Sequence, residues 1–202
     1  MANGILNATN EHDLPNGLVL LGGRSTRMGT DKSLLVYHDK PQRDHVTELL
    51  QPYCNRVFWS VNAPQWMGLT EAEQAMSIVD AYDLNSPLDG ILSAFLCNPT
   101  RAWFVVACDM PLLTNLSLDA LLTGRDPEKL ATVFLDSDGQ LPEPLLGIYE
   151  PAFGPVARQA VENGEISPRQ ILLNNPVQLL TAPDLRELTN ANDPATRIRL
   201  HP

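Results

Sequence analysis

The sequence predicts an α/β domain built on a largely parallel sheet covered by helices on both faces. Short, almost wholly apolar runs alternate with stretches whose apolar residues recur at helical spacing. Strands buried on both faces read as continuous hydrophobic runs, and parallel neighbours need a crossover helix between them. Ligands of such sheets sit at the carboxyl ends of the strands. The chemistry is therefore sought in the loops that follow each apolar run.

Residues 17–21 (GLVLL) form the first predicted strand, which ends on Gly22 and Gly23. The polar, Asn-rich stretch 2–16 before it reads as a loose leader, so that 1–16 is a flexible segment and 17–202 a single domain. Pro41 suits a first helical turn, followed by Val46, Leu49 and Leu50 on one face. Residues 56–61 and 77–79 read as the second and third strands, and 88–96 as a helix with Leu88, Ile91, Leu92 and Phe95 at helical spacing. Residues 103–108 are the fourth strand, 116–122 a helix, and 131–135 a fifth strand. Residues 141–149 carry Pro142 and Pro144 and are expected as an edge strand or ligand-facing loop. Helices over 151–163 and 168–173 and a short strand over 177–181 complete the pattern. Phe58, Trp59, Met67, Met76, Trp103 and Phe153 are expected in the core.

The composition narrows the function classes. The formal net charge of −10 opposes a nucleic-acid surface. Arg24, Arg27 and Lys32 nevertheless fall close together beside glycines, which suits a small anionic ligand. Three cysteines, Cys54, Cys97 and Cys108, without Cys-x-x-Cys spacing, fit neither a disulfide scaffold nor a structural zinc site. The histidines His12, His38, His45 and His201 are scattered. With no apolar run of spanning length and no secretion signal, no membrane partner is expected, and a reducing cytoplasm is the expected compartment.

Four segments can carry chemistry. In residues 20–32 (LLGGRSTRMGTDK), glycines let successive backbone N–H groups converge on one anion, and Arg27 and Lys32 add full positive charges. The segment matches neither the P-loop nor the dinucleotide fingerprint, and a strand-to-helix turn with solvated cations would use similar residues. Asp109 follows the fourth apolar run, where a carboxylate either coordinates magnesium or caps a turn. Asp80 ends the third strand, ahead of the turn Ser86, Pro87, Leu88, Asp89 and Gly90. Asn62 ends the second strand and serves either a purine or ribose edge or a turn.

The run GGRSTRMGTDK resembles the opening motif of nucleotidyltransferases of the molybdenum cofactor guanylyltransferase type, in which Leu-Ala-Gly-Gly precedes Arg-Met-Gly and Asp-Lys. The resemblance spans residues 18–193 and implies a three-layer, Rossmann-like nucleotidyltransferase fold with a mainly parallel mixed sheet. It implies that Leu20, Leu21, Gly22 and Gly23 contact the nucleotide and that Arg27 and Lys32 hold its phosphates. Leu21 replaces the usual alanine and would tighten the base pocket. Cys108-Asp109-Met110-Pro111 is similar to the family's metal motif, which makes Asp109 the Mg²⁺ ligand and, with Arg27 and Lys32, a catalytic residue. The resemblance makes Asp80 a nucleotide contact and sets Pro87, Leu88 and Gly90 beside the base or ribose, with Asn62 a candidate. Asp89, acidic where relatives carry a small residue, would meet a metal or the base or weaken triphosphate binding, unless it simply sits in a first helical turn where it favours the dipole. Asn190 and Asn192, in a stretch similar to Asn-x-Asn-Thr-Pro but with Asp193 for threonine, would line the site. Glu143 precedes the acceptor-side Pro144 and Leu145, and Arg169 is a candidate for the acceptor phosphate. The implied reaction is Mg²⁺-dependent transfer of GMP from GTP to the phosphate of molybdopterin, with transient contact with cofactor-delivery proteins. A cytidylyltransferase, a different phosphorylated acceptor and a non-catalytic nucleotide-binding module are the alternatives.

Overall fold

The computed structural model describes residues 14–21 and 32–190, with only the backbone of Lys32. Seven strands run β1 (Asn16–Leu20), β2 (Val57–Val61), β3 (Ser77–Val79), β4 (Trp103–Ala107), β5 (Ala131–Leu135), β6 (Pro142–Tyr149) and β7 (Gln178–Leu180). They form one sheet in the order β3-β2-β1-β4-β6-β5-β7. Only β6 runs against its neighbours β4 and β5, so the sheet is mixed and mostly parallel. The helices are α1 (Gln42–Leu50), α2 (Ala63–Met67), α3 (Glu71–Ala75), α4 (Leu88–Cys97), α5 (Asn115–Thr123), α6 (Phe153–Glu162) and α7 (Pro168–Leu173).

The period-two alternation of strand side chains divides the core into two layers. Val19, Leu21, Phe104, Val106 and Phe134 meet Val46 and Leu50 of α1 and Leu118 and Leu121 of α5. Leu18, Leu20, Val105 and Val133 face the other way, onto α4, α6 and α7. The three-layer fold expected from sequence is thus present. No helix among the described residues is long and apolar enough to cross a membrane.

Three expectations change. Asn16 joins β1 opposite Trp103 and is buried, so the ordered sheet takes in the last residue of the expected leader; residues 1–13 lie outside the described residues. The proline-bearing segment 141–149 is an interior strand rather than an edge or a loop. Its pairing with β4 stops at Val106 opposite Leu146, and its pairing with β5 shifts between Val133 and Leu135, where Pro142 sits. Both prolines therefore lie past the regular ladder, where a missing N–H removes no regular rung. Met67, expected in the core, is 72% exposed on the short α2.

The carboxylate of Glu187, 4% exposed, accepts hydrogen bonds from the Thr114 N–H, the Thr114 hydroxyl and the Ser117 N–H. It thereby satisfies the Ser117 amide in the first turn of α5 and the amide of its N-cap Thr114, and meets the positive end of the helix dipole. Glu187→Ala is expected to cost about 1–3 kcal/mol in urea denaturation. A change under about 0.5 kcal/mol would contradict this role.

Candidate active site

The carboxyl ends of β1, β2 and β4 come level in the middle of the sheet because Leu20 pairs with Ser60 on one side and Ala107 on the other. The alignment continues one step: Leu21 N–H donates to Ser60 O and Cys108 N–H donates to Leu20 O. The chain leaves β1 here into residues 22–31 and returns at a 3-10 turn, Lys32–Leu34. Asp109 emerges from β4 one strand away. β2 lies on one side of β1 and β4 on the other, the change of direction in strand order at which sheets of this kind bind ligands.

Gly22, Gly23, Arg24, Arg27, Asn192 and Asp193 lie outside the described residues, as does the side chain of Lys32. Leu20 is 6% and Leu21 3% exposed, on opposite faces of the sheet. Leu21 packs in the core against α1 rather than tightening a base pocket. Only backbone atoms of this pair can meet a ligand at the strand end.

Asp80 sits across β2 from β1, tied to the sheet by its N–H to Val61 O and by the Ser60 hydroxyl, which donates to its carboxylate at 2.8 Å. Burial pushes its carboxyl up to about 6, against the Ser60 hydrogen bond, and the charge of Asp89 adds to the rise. Asp89 itself is not a metal or base contact. It is 3% exposed, and its carboxylate accepts from Tyr82 N–H, Leu84 N–H and the Ser93 hydroxyl. It fastens the loop after β3 to α4, which is why a buried acid is tolerated there. Leu88 is fully buried, and a Cβ at Gly90 would stand 2.1 Å from the Ser60 Oγ, so both serve the close approach of α4 to the sheet. Pro87 precedes α4 as its N-cap residue. The Ser86 hydroxyl donates to Ile166 O at 2.5 Å and ties this turn to the loop ahead of α7.

Asn62 caps α2: its side-chain oxygen accepts from Gln65 N–H, and the Gln65 side chain accepts from Asn62 N–H. That realises the turn reading and occupies the oxygen that would face a ligand. The Asn190 Oδ1 is shielded from solvent and meets no hydrogen-bond donor among the described residues.

On the β6 side, Glu143 lies close enough to Asp109 for the Asp109 charge to act on its carboxyl. Glu143 is 7% exposed, accepts from Leu145 N–H, and lies 3.4 Å from Arg169, which is also 3.7 Å from Asp136. Burial pushes the Glu143 carboxyl up, opposed by Leu145 N–H and Arg169, while Asp109 and Asp136 add to the rise. A guanidinium already bracketed by two carboxylates has no net positive field for a phosphate, so Arg169 does not suit the acceptor phosphate. It neutralises Glu143 instead.

Residues 17–178 match the family described as the MobA-like NTP transferase domain. The chain belongs to the MobA-like NTP transferase family. It is a nucleotidyltransferase. A molybdenum cofactor biosynthesis bifunctional protein of Synechocystis is 34% identical over 88% of this chain, which spans about half (51%) of that relative. A molybdenum cofactor guanylyltransferase of Pseudomonas putida is 32% identical, over 88% of this chain and 92% of that protein. A solved structure described as molybdopterin-guanine dinucleotide biosynthesis protein A of Archaeoglobus fulgidus shares the fold, with TM-score 0.76 and 22% identity over 92% of this chain and 96% of that one.

Sequence reasoning missed Ser60, whose hydroxyl holds Asp80 in this nucleotidyltransferase. A serine on the otherwise apolar strand VFWSV, one residue from its carboxyl end, was the available signal for Ser60.

An acid whose pKa is raised on folding binds its proton more tightly in the folded chain. Asp80 therefore contributes stability that is full below its ordinary value of 3.8 and is lost as pH rises through about 6. Asp80→Asn removes that loss and keeps an oxygen for Ser60. The variant is expected to melt above the parent at pH 7.5, with the gap closing as pH falls through about 6. A gap that is constant with pH would contradict it.

Proposed function

We propose that this nucleotidyltransferase transfers GMP from GTP to the phosphate of a molybdopterin-type acceptor and releases pyrophosphate. The observation that supports this reading is the Leu20–Ala107 pairing, which brings the departure into the basic Gly-rich segment level with the end of the strand that leads to Asp109. The names of the relatives support the guanylyl group and the acceptor. The ionised Asp80 carboxylate suits the adjacent N1–H and 2-amino donors of guanine, an edge that cytosine does not present.

The residues present fit a hard divalent ion. Asp109 supplies oxygen at the strand end, and no group of three or more His, Cys, Asp and Glu able to hold an ion occurs among the described residues. An ion held there would take the rest of its coordination from substrate phosphates and water, as Mg²⁺ does with nucleotides. Bound Mg²⁺ would supply charge neutralisation across the phosphates. An acceptor phosphate oxygen attacks the α-phosphorus in line, and the bond to pyrophosphate breaks. The acceptor is already an anion, so no general base is required. Arg27, Lys32 and the amides of the Gly-rich segment stabilise the departing pyrophosphate, and Asp109 holds the metal.

Pyrophosphate release, followed with each nucleoside triphosphate with and without molybdopterin, is expected to need both GTP and the acceptor. Lys32→Ala and Asp109→Asn are each expected to lower turnover by about 10²-fold or more with melting temperature unchanged. Release with CTP but not GTP, or unchanged turnover in Lys32→Ala, would overturn the assignment.

A further inference from the structure

Two side chains from one segment reach the backbone of the Asp109 turn. The segment that begins with the 3-10 turn Lys32–Leu34 doubles back through a bridge between Val36 and Pro41, with Gln42 N–H donating to Leu35 O. At its tip the His38 Nε2 lies 2.7 Å from Pro111 O. A carbonyl only accepts, so this nitrogen carries the hydrogen. The His45 ring on α1 stacks on His38 with centroids 4.0 Å apart and supports it. The Gln42 Nε2 donates to Met110 O at 3.3 Å, and Gln42 and Met110 are both fully buried. Consecutive carbonyls directly after Asp109 are thus held from a segment 68 and 73 residues away in sequence.

We propose that His38 and Gln42 are positioning residues that clamp the Asp109 turn to the segment leading from Lys32, and so set the spacing between metal ligand and phosphate-binding lysine. The inference rests on the assignment of Asp109 and Lys32 to a magnesium nucleoside triphosphate. The strand ladders fix Cys108 and Leu21; beyond them the turn closes through Leu113 N–H on Met110 O, and the two side chains add the ties to the segment leading from Lys32. Positioning of the triphosphate for in-line attack would tolerate little error in that spacing. Neither side chain is placed to touch substrate.

The test uses the full chain with His38→Phe, which keeps a ring for His45, Gln42→Leu, which keeps volume, and the double variant. Melting temperature, kcat, acceptor KM and the Mg²⁺ concentration for half-maximal pyrophosphate release are measured for each. The double variant is expected to need about 5- to 30-fold more Mg²⁺ and to lose kcat to a similar degree, with melting temperature and acceptor KM little changed. His38→Gln, which keeps an N–H donor, should recover part of the loss. In parallel, GTP binding is titrated calorimetrically at several Mg²⁺ concentrations, where the double variant should lose the tightening that Mg²⁺ confers on the parent. Parental Mg²⁺ dependence in both assays for a folded double variant would overturn the clamp. A parent that releases no pyrophosphate yet binds GTP with Mg²⁺ would instead overturn the proposed reaction, leaving the binding titration to decide the clamp.

Discussion

The parallel pairing of β1 with both β2 and β4 is the constraint on which the site depends. It brings three carboxyl ends level, so that Leu21, Val61 and Cys108 leave the sheet at one height. Each then hands the chain to a loop of different chemistry: the basic Gly-rich segment, the Asn62 cap of α2, and the Asp109 turn. Close packing beneath fixes the geometry. Gly90 admits α4 against Ser60, and the same Ser60 holds Asp80. A side chain that disturbs this contact disturbs both the core and the hold on Asp80.

The fold concentrates carboxylates at this one end. Asp80 and Asp109 each follow a strand there and Glu143 lies near Asp109; burial raises the Asp80 carboxyl, with Asp89 adding to it, and burial raises Glu143, with Asp109 adding to it. Not all of them face a ligand. Asp89 is consumed by loop amides, and Glu143 is held by Leu145 N–H and Arg169. In the proposed reaction Asp80 and Asp109 meet the ligand, and a site with that charge is suited to anionic phosphates only when cations accompany them. The basic loop and a hard metal ion supply those cations in the proposed reaction.

Strand positions were legible because strands buried on both faces leave uninterrupted apolar runs, as in WFVVA and ATVFL. The interior placement of β6 was not, since proline content reports local hydrogen bonding and not where a strand's partners stop. The short helices α2 and α3 carry no buried residues and thus no apolar stripe to read, although their capping boxes are plain in hindsight. At the site, Asp80 and Asp109 could be found because each follows an apolar run. The packing roles of Leu88, Asp89 and Gly90 could not, because a motif records residue identity without saying which atoms are already satisfied. His38 and Gln42 act on backbone carbonyls some seventy positions away, a relation no local pattern encodes.

The most direct test locates the metal. With Mn²⁺ in place of Mg²⁺ and GTP added, paramagnetic broadening of backbone amide resonances reports distance from the ion. The account predicts the strongest broadening at Leu20, Leu21, Cys108, Asp109 and Met110, with little at the opposite end of the sheet around Cys54, Asn55 and Arg56. Broadening centred on that opposite end, or the same pattern without GTP and at equal strength in Asp109→Asn, would contradict a metal-nucleotide site at the carboxyl ends of β1 and β4.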